Sequence, residues 1–310
     1  MPSPTSSLLQ LRRSDAAREG TGRSVREDAR AAHDQPELET PLRLHRRFDR
    51  MGRLVGDAGM ARLLGAKVMV VGLGGVGSWT AEALSRAGLG SLVLVDFDLV
   101  CVTNTNRQLH AMKGTTGKPK VEIVAERLRA ISPTAKVVAE RRFYEESSSE
   151  ALLAHAPDLV VDAIDNLTAK AHLIATCRQR GIPLVVSGGA SGRMDPTAIR
   201  ISDLAEVTAD PFVKSLRKLL RRHHGFAERG LYGIPTAHSL ETPRTPLPLA
   251  YDGDTGFRCV CPQGDNDHHT CDERSVIYGT AGYVTGVFGL ALAGHAVRTL
   301  LGDVPTPSSM

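Results

Sequence analysis

Two cations, an amide and two carboxylates are spaced along this chain as a reacting nucleotide would need them. Asn104, Arg107 and Lys120 follow Asp96 within one short stretch, and Asp165 precedes Asn166 further on. Splitting a triphosphate requires positive charge where negative charge builds on the leaving group. A pyrophosphate that is merely held is largely neutralised by a helix N-terminus. Arg107 and Lys120, with Asn104 as an amide donor, therefore favour triphosphate cleavage over a bound dinucleotide. Asp96 at a strand end suits ribose hydroxyls, a use common to ATP and NAD sites. Asp165, across the cleft, suits Mg²⁺. The plainer alternative sets Arg107 and Lys120 on a solvated face and makes Asp165 a helix cap.

The phosphates need a cradle, and residues 67–77 supply one. Lys-Val-Met-Val-Val runs into Gly-Leu-Gly-Gly-Val-Gly, with an alanine-rich amphipathic segment, Ser78 to Ala87, behind it. Gly72, Gly74, Gly75 and Gly77 let a phosphate approach backbone amides with no Cβ in the way. The helix that follows aims its free N–H groups and the positive end of its dipole at the same place. The strand before and the helix after lift this glycine pattern above a chance match.

Elements that could position these residues alternate along the chain. Ser91–Asp96 reads as a second strand and Lys118–Ser132 as a helix with Val121, Val124, Leu128 and Ile131 on one face. Strands at Lys136–Ala139, Leu159–Asp162 and Pro183–Ser187 alternate with helices at Glu150–Ala156 and Thr168–Arg180. This order predicts an α/β fold, a Rossmann-like and mostly parallel sheet with helices on both faces. Ligands of such sheets sit beyond the carboxyl ends of the strands, where the glycines, Asp96 and Asp165 fall. Ala198–Ser202 reads as a further strand, residues 225–258 as a long loop or insertion rich in Gly, Pro and Thr, and 281–301 as a closing helix. The expected organisation is a disordered tail over 1–40 and one domain over 41–310, with that insertion and a cysteine-containing loop at 259–271.

At 310 residues, 42% hydrophobic and 23% charged, the chain can bury a sizeable core, and its net charge of +4 permits an anionic partner without demanding one. The five cysteines are odd in number and unevenly spread, which suits a reduced, cytoplasmic protein. The first forty residues lack the apolar core of a signal peptide. Val276–Val297 carries no Asp, Glu, Lys or Arg and is long enough for a bilayer, but its many glycines suit a helix packed tightly inside a protein at least as well. Lys214, Arg217, Lys218, Arg221 and Arg222 recur at helical spacing opposite Phe212, Leu216, Leu219 and Leu220, a cationic stripe suited to a phosphate backbone. A solvated face or a membrane surface are the alternatives. Cys259, Cys261 and Cys271, with His268 and His269 between them, offer Zn²⁺ ligands, although Cys-x-Cys is an unusual spacing for that metal.

Taken in order, Gly-Leu-Gly-Gly-Val-Gly, Val-Asp-Phe-Asp, Thr-Asn-Thr-Asn-Arg-Gln, Gly-Lys-Pro-Lys and Asp-Ala-Ile-Asp-Asn resemble the ThiF/MoeB and ubiquitin-activating adenylyltransferases. Cys101–Gln108 and Ser187–Leu204 resemble one branch, the tRNA threonylcarbamoyladenosine dehydratases, and the likeness runs from about Arg47 to Gly302. The resemblance implies ATP and Mg²⁺ as cofactors and a carboxylate adenylated at the α-phosphate. In this branch the activated carbonyl is then captured within the same group. By carry-over, Gly72, Gly74, Gly75 and Gly77 hold phosphates and Asp96 the ribose. Asn104, Arg107 and Lys120 balance phosphate charge, and Asp165 binds Mg²⁺. A homodimer is implied, with Arg50 or Arg53 reaching the neighbouring ATP, as are sulfur-relay partners in some relatives. Adenylation of a ubiquitin-like sulfur carrier is the competing activity, opposed by the absence of paired Cys-x-x-Cys motifs and by the basic stripe.

Overall fold

Short apolar runs make the centre of the molecule, because a strand buried on both faces has no use for polar alternation. The computed structural model describes residues 45–250 and 278–304. Its strands are β1 (Lys67–Val71), β2 (Ser91–Val95), β3 (Lys136–Glu140), β4 (Leu159–Asp162), β5 (Leu184–Ser187), β6 (Ile199–Asp203) and β7 (Pro235–Ser239). They form one sheet in the order β3-β2-β1-β4-β5-β7-β6, parallel except for β6. The helices are α1 (Asp49–Gly65), α2 (Gly77–Arg86), α3 (Lys120–Ile131), α4 (Glu146–Leu153), α5 (Leu167–Gln179), α6 (Pro211–His224) and α7 (Gly282–Leu301).

Period-two alternation divides the core between the two sheet faces. Val68, Val70, Leu92 and Leu94 pack with Met60, Leu63, Leu128 and Phe288 on the side of α1, α2, α3 and α7. Met69, Val71, Val93 and Val160 pack with Leu152, Ile174 and Leu216 on the side of α4, α5 and α6. The chain runs from β1 outward to β2 and β3, then returns to place β4 on the other flank of β1. Neighbouring strands β1 and β4 thus send their following loops in opposite directions and open a crevice above their carboxyl ends.

Two expectations need correction. The fourth helix spans Glu146–Leu153 and not Glu150–Ala156. Glu145 and Ser148 form a reciprocal cap that starts it four residues earlier, ahead of a serine run, and Pro157 keeps Ala156 out of the helix at φ 49°. The second correction falls in the 225–258 segment, where Pro235–Ser239 is a buried strand. It pairs parallel with β5 and antiparallel with β6. Thr236 and Ser239 are therefore sheet interior, with no exposure at all. Residues 1–44, 251–277 and 305–310 lie outside the described residues, and with them Cys259, Cys261, His268, His269 and Cys271.

The apolar helix α7 meets the length and hydropathy of a membrane span, yet half of its most apolar window is buried against the rest of the chain. A Cβ on Gly289 would stand 2.5 Å from the Val76 carbonyl oxygen and 2.8 Å from Trp79 Cβ. Thr80 Oγ1 donates to the Gly289 carbonyl at 3.1 Å across the same contact. The glycines of α7 let it lie directly on the start of α2, which makes α7 a wall of the crevice.

Candidate active site

The glycine turn after β1 is shaped by two glycines and opened by the other two. Gly72 has φ +87°, and a Cβ there would meet the Ala163 carbonyl oxygen at 2.7 Å. At Gly77 a Cβ would fall 1.8 Å from the Gly72 carbonyl oxygen, so the turn closes only with glycine at both ends. Gly74 has nothing nearer its missing Cβ than Gln108 Nε2 at 3.9 Å. At Gly75 the near neighbours are Arg107 Cγ at 3.2 Å and Cδ at 3.3 Å. No side chain caps α2; the Ser78 amide is spent on the Gly74 carbonyl at 3.2 Å, and the positive dipole end of the helix faces the turn where an anion would enter.

Asp96 ends β2 at 8% exposure. One carboxylate oxygen accepts the Leu73 amide at 2.6 Å and the other accepts the Asp98 amide at 2.8 Å. This ties the ribose candidate to the glycine turn while lone pairs remain on both oxygens. Burial raises the Asp96 pKa, against the pull of Lys120 and the two amides.

Lys120 begins α3 and is held twice by one residue. Its amide donates to the Asp98 carbonyl at 3.0 Å, and Nζ donates to Asp98 Oδ2 at 2.6 Å. Only 5% of Lys120 is exposed. Burial disfavours the ammonium, but Asp96, Asp98 and Asp165 outweigh it and lift the pKa above the usual lysine value, so Lys120 stays a cation. It is no member of a solvated face. Asp98 was not among the candidate residues, although Val-Asp-Phe-Asp puts a second carboxylate two residues on, on the same side of an extended chain.

The loop between β2 and α3 aims Arg107. Asn104 is buried, and its Oδ1 accepts the Cys101 amide at 3.0 Å. Its carbonyl receives the amides of Arg107 at 3.0 Å and Gln108 at 2.9 Å. Asn104 therefore organises the loop, and its carboxamide oxygen is already used. Arg107 Nη1 donates to the Thr103 carbonyl and to Asn106 Oδ1, each at 3.0 Å, while Trp79 Nε1 holds the Arg107 carbonyl at 3.2 Å. Gln108, buried beside Gly74, leaves Oε1 without a partner, as the adjacent His110 does both ring nitrogens. Burial, with the Lys120 charge, pushes the His110 pKa down to about 3.

Across the crevice Asp165 is exposed and Asn166, not Asp165, caps α5, with Oδ1 accepting the Ala169 amide at 3.0 Å. The capping alternative for Asp165 is thereby removed. Below it Lys170 and Asp162, both without exposure, pair at 2.8 Å and anchor α5 to the end of β4. Asp49 engages Arg53 at 3.1 Å one helical turn away, and Arg50 and Arg53 are both exposed. Of the five cations predicted on one helix, Arg217 and Arg221 are half-buried and bonded to the fold, and Lys214, Lys218 and Arg222 are exposed.

A parallel sheet with its glycine turn, strand-end carboxylate and buried lysine at the switch point defines a nucleotide-binding enzyme of the adenylating class. The sequence matches the ThiF family over residues 48–309, and the chain belongs to that family. It is 38% identical over 257 residues to the tRNA threonylcarbamoyladenosine dehydratase of Escherichia coli, covering 82% of this chain and 93% of that one. Its identity to the enzyme of the same name from Bacillus subtilis is 36% over 257 residues, covering 83% and 95%. A crystal structure of the Escherichia coli enzyme in complex with ATP superimposes with a TM-score of 0.70 at 37% identity, covering 83% of this chain and 94% of that one.

Proposed function

We propose that this protein adenylates the carboxylate of threonylcarbamoyladenosine in tRNA with ATP and closes that group into a ring with net loss of water. The observation that carries the reading is Lys120, buried yet kept cationic by Asp96, Asp98 and Asp165 beside an uncapped helix start. A fixed charge in a dry crevice stabilises a phosphate transition state more than the same charge in water. The relatives named above supply the substrate.

The carboxylate oxygen attacks the α-phosphorus, the bond to the β-phosphate oxygen breaks, and pyrophosphate leaves. A nucleophile within the same modified nucleoside then attacks the activated carbonyl and expels AMP, which carries away the carboxylate oxygen. Ring closure is intramolecular, so positioning supplies much of the rate. In this reading Gly74 and Gly75 admit the phosphates, Gly72 and Gly77 hold the turn, and Asp96 receives the ribose hydroxyls. Arg107 and Lys120 balance the phosphate charge, and Asn104 positions Arg107.

Asp165 fits a magnesium ligand. It is an exposed carboxylate that caps no helix, and beside a triphosphate it would repel the substrate unless a divalent cation lay between them. Among the described residues no three His, Cys, Asp or Glu side chains gather as a cage. Mg²⁺ needs none, since one carboxylate, substrate phosphates and water complete its octahedron. Bound there, it would neutralise phosphate oxygens. In a homodimer, Arg50 and Arg53, both exposed on α1, are the candidates to serve a neighbouring crevice.

The deciding experiment measures pyrophosphate release from ATP with three additives. These are tRNA bearing threonylcarbamoyladenosine, the same tRNA unmodified, and a ubiquitin-like carrier protein. Release with the first alone, and the cyclised nucleoside in digests of that tRNA, is expected. Release driven by the carrier protein instead would assign the competing activity.

A further inference from the structure

The five cations of α6 divide into two sets with different work. Arg217 donates to the carbonyls of Leu204 at 3.0 Å and Ala205 at 3.2 Å, and also to that of Val207, closing the turn after β6. Arg221 donates through Nε to the Tyr232 hydroxyl at 2.8 Å and through Nη2 to the Glu228 carbonyl at 3.1 Å. These two arginines hold the segments on either side of α6. Lys214, Lys218 and Arg222 are exposed, and among the described residues no hydrogen bond or ion pair engages their side chains. Together the two sets line an open groove of about 560 Å³ with Ala205 and Glu228.

The groove is tied to the active-site end of the sheet. Asp210 caps the start of α6, its Oδ1 accepting the Phe212 amide at 2.9 Å. Its Oδ2 accepts the Gly189 amide at 2.7 Å, just beyond the carboxyl end of β5. The stripe therefore begins at the edge where the crevice opens and descends along the outside of the fold. The apolar face of α6 is spent on the core, with Val213, Leu216 and Leu220 fully buried. A membrane-surface helix needs that face free to insert, and here only the half-buried Phe212 and Leu219 remain outside the core.

We infer that the groove along α6 docks the sugar-phosphate backbone of the RNA substrate, with Lys214, Lys218 and Arg222 making the phosphate contacts and Arg217 and Arg221 fixing the groove's shape. The inference rests on the proposed function and adds to it the surface outside the crevice that holds the substrate. Each phosphate neutralised by a cation releases condensed counterions, so removing a contact weakens binding and flattens its dependence on salt.

The test compares the full-length protein with a Lys214→Gln, Lys218→Gln, Arg222→Gln triple variant in tRNA binding across a salt series. The expected result is a loss of affinity of at least about tenfold and a log–log salt slope shallower by roughly 2 to 3. ATP affinity and melting temperature should stay at wild-type values. Arg217→Gln should instead lower the melting temperature, because it strands buried carbonyls. Wild-type affinity and slope in the triple variant would overturn the docking surface while leaving the reaction intact. So would a loss confined to vesicles of phosphatidylserine and phosphatidylcholine, which would make the stripe a membrane contact. A wild-type protein that releases no pyrophosphate with the modified tRNA would remove the proposed function itself.

Discussion

Arg107 and His110 lie three residues apart in the loop that crosses the crevice, and their environments give opposite expectations. Arg107 is half-exposed, with its stem against Gly75 and Nη1 on the Thr103 carbonyl and Asn106 Oδ1, and in the proposed function its charge faces the phosphates. Arg107→Ala should retain the melting temperature and lower kcat/KM for adenylation roughly 10²–10³-fold, the usual cost of removing a preorganised electrostatic partner. Pyrophosphate release at the wild-type rate would exclude Arg107 from the chemistry. His110 is fully buried, and its pKa of about 3 lies far below the ordinary 6.5. Below pH ~6.5 the unfolded chain binds a proton that the folded chain refuses, so stability is lost as pH falls toward 3. Between about pH 7 and pH 5 this one group should cost roughly 2 kcal/mol. His110→Leu should remove that part of the acid sensitivity in urea titrations at the two pH values.

The junction of β1 and α2 is an element whose glycines are unequal. Gly77→Ala sets a methyl against the Gly72 carbonyl, where only a backbone shift can relieve it. A loss of about 3 kcal/mol, the upper end of overpacking penalties, is expected in denaturant titrations. Gly74→Ala meets open space and should leave stability within about 1 kcal/mol while weakening ATP binding tenfold or more, because the methyl occupies the phosphate's approach. Calorimetric titration with ATP separates the two outcomes. Equal effects on folding would mean that both glycines are structural. The strand–turn–helix itself was legible in Lys67–Ala87, since a valine run, a glycine cluster and an alanine-rich amphipathic run carry different periodicities. The division of labour among the glycines was not, because it depends on Ala163 of β4's loop and on Arg107.

For the whole molecule, the crevice gathers residues from the loops after β1, β2 and β4, from the start of α3, and from the wall made by α7. A ligand that bridges them stabilises the entire domain. ATP at a hundred times its dissociation constant should add about 2.7 kcal/mol. That corresponds to a rise in melting temperature of roughly 5–10 °C for a domain of this size. Differential scanning fluorimetry with and without ATP and Mg²⁺ would measure it, and an unchanged melting temperature would argue against a shared site.

Local chemistry determined the part of this protein that runs from Lys67 to Ser187. Buried parallel strands are written as short valine and leucine runs, and the turns after β1, β2, β4 and β5 each carry a glycine or an aspartate. The candidates Gly72, Asp96, Arg107, Lys120 and Asp165 could therefore be placed by order alone. Tertiary structure decided what no window of sequence holds. Pro235–Ser239 is a strand because its backbone pairs with β5 on one side and β6 on the other, and its Pro-Thr-Ala-His-Ser has no apolar alternation to announce it. Lys120 is a buried cation only because Asp98 and Asp96 fold back on it. The basic stripe separates into structural and free charges only where Leu204, Ala205 and Tyr232 come close enough to claim two arginines. Periodicity reports which face a residue takes, whereas charge, burial and hydrogen bonding depend on neighbours distant in the chain.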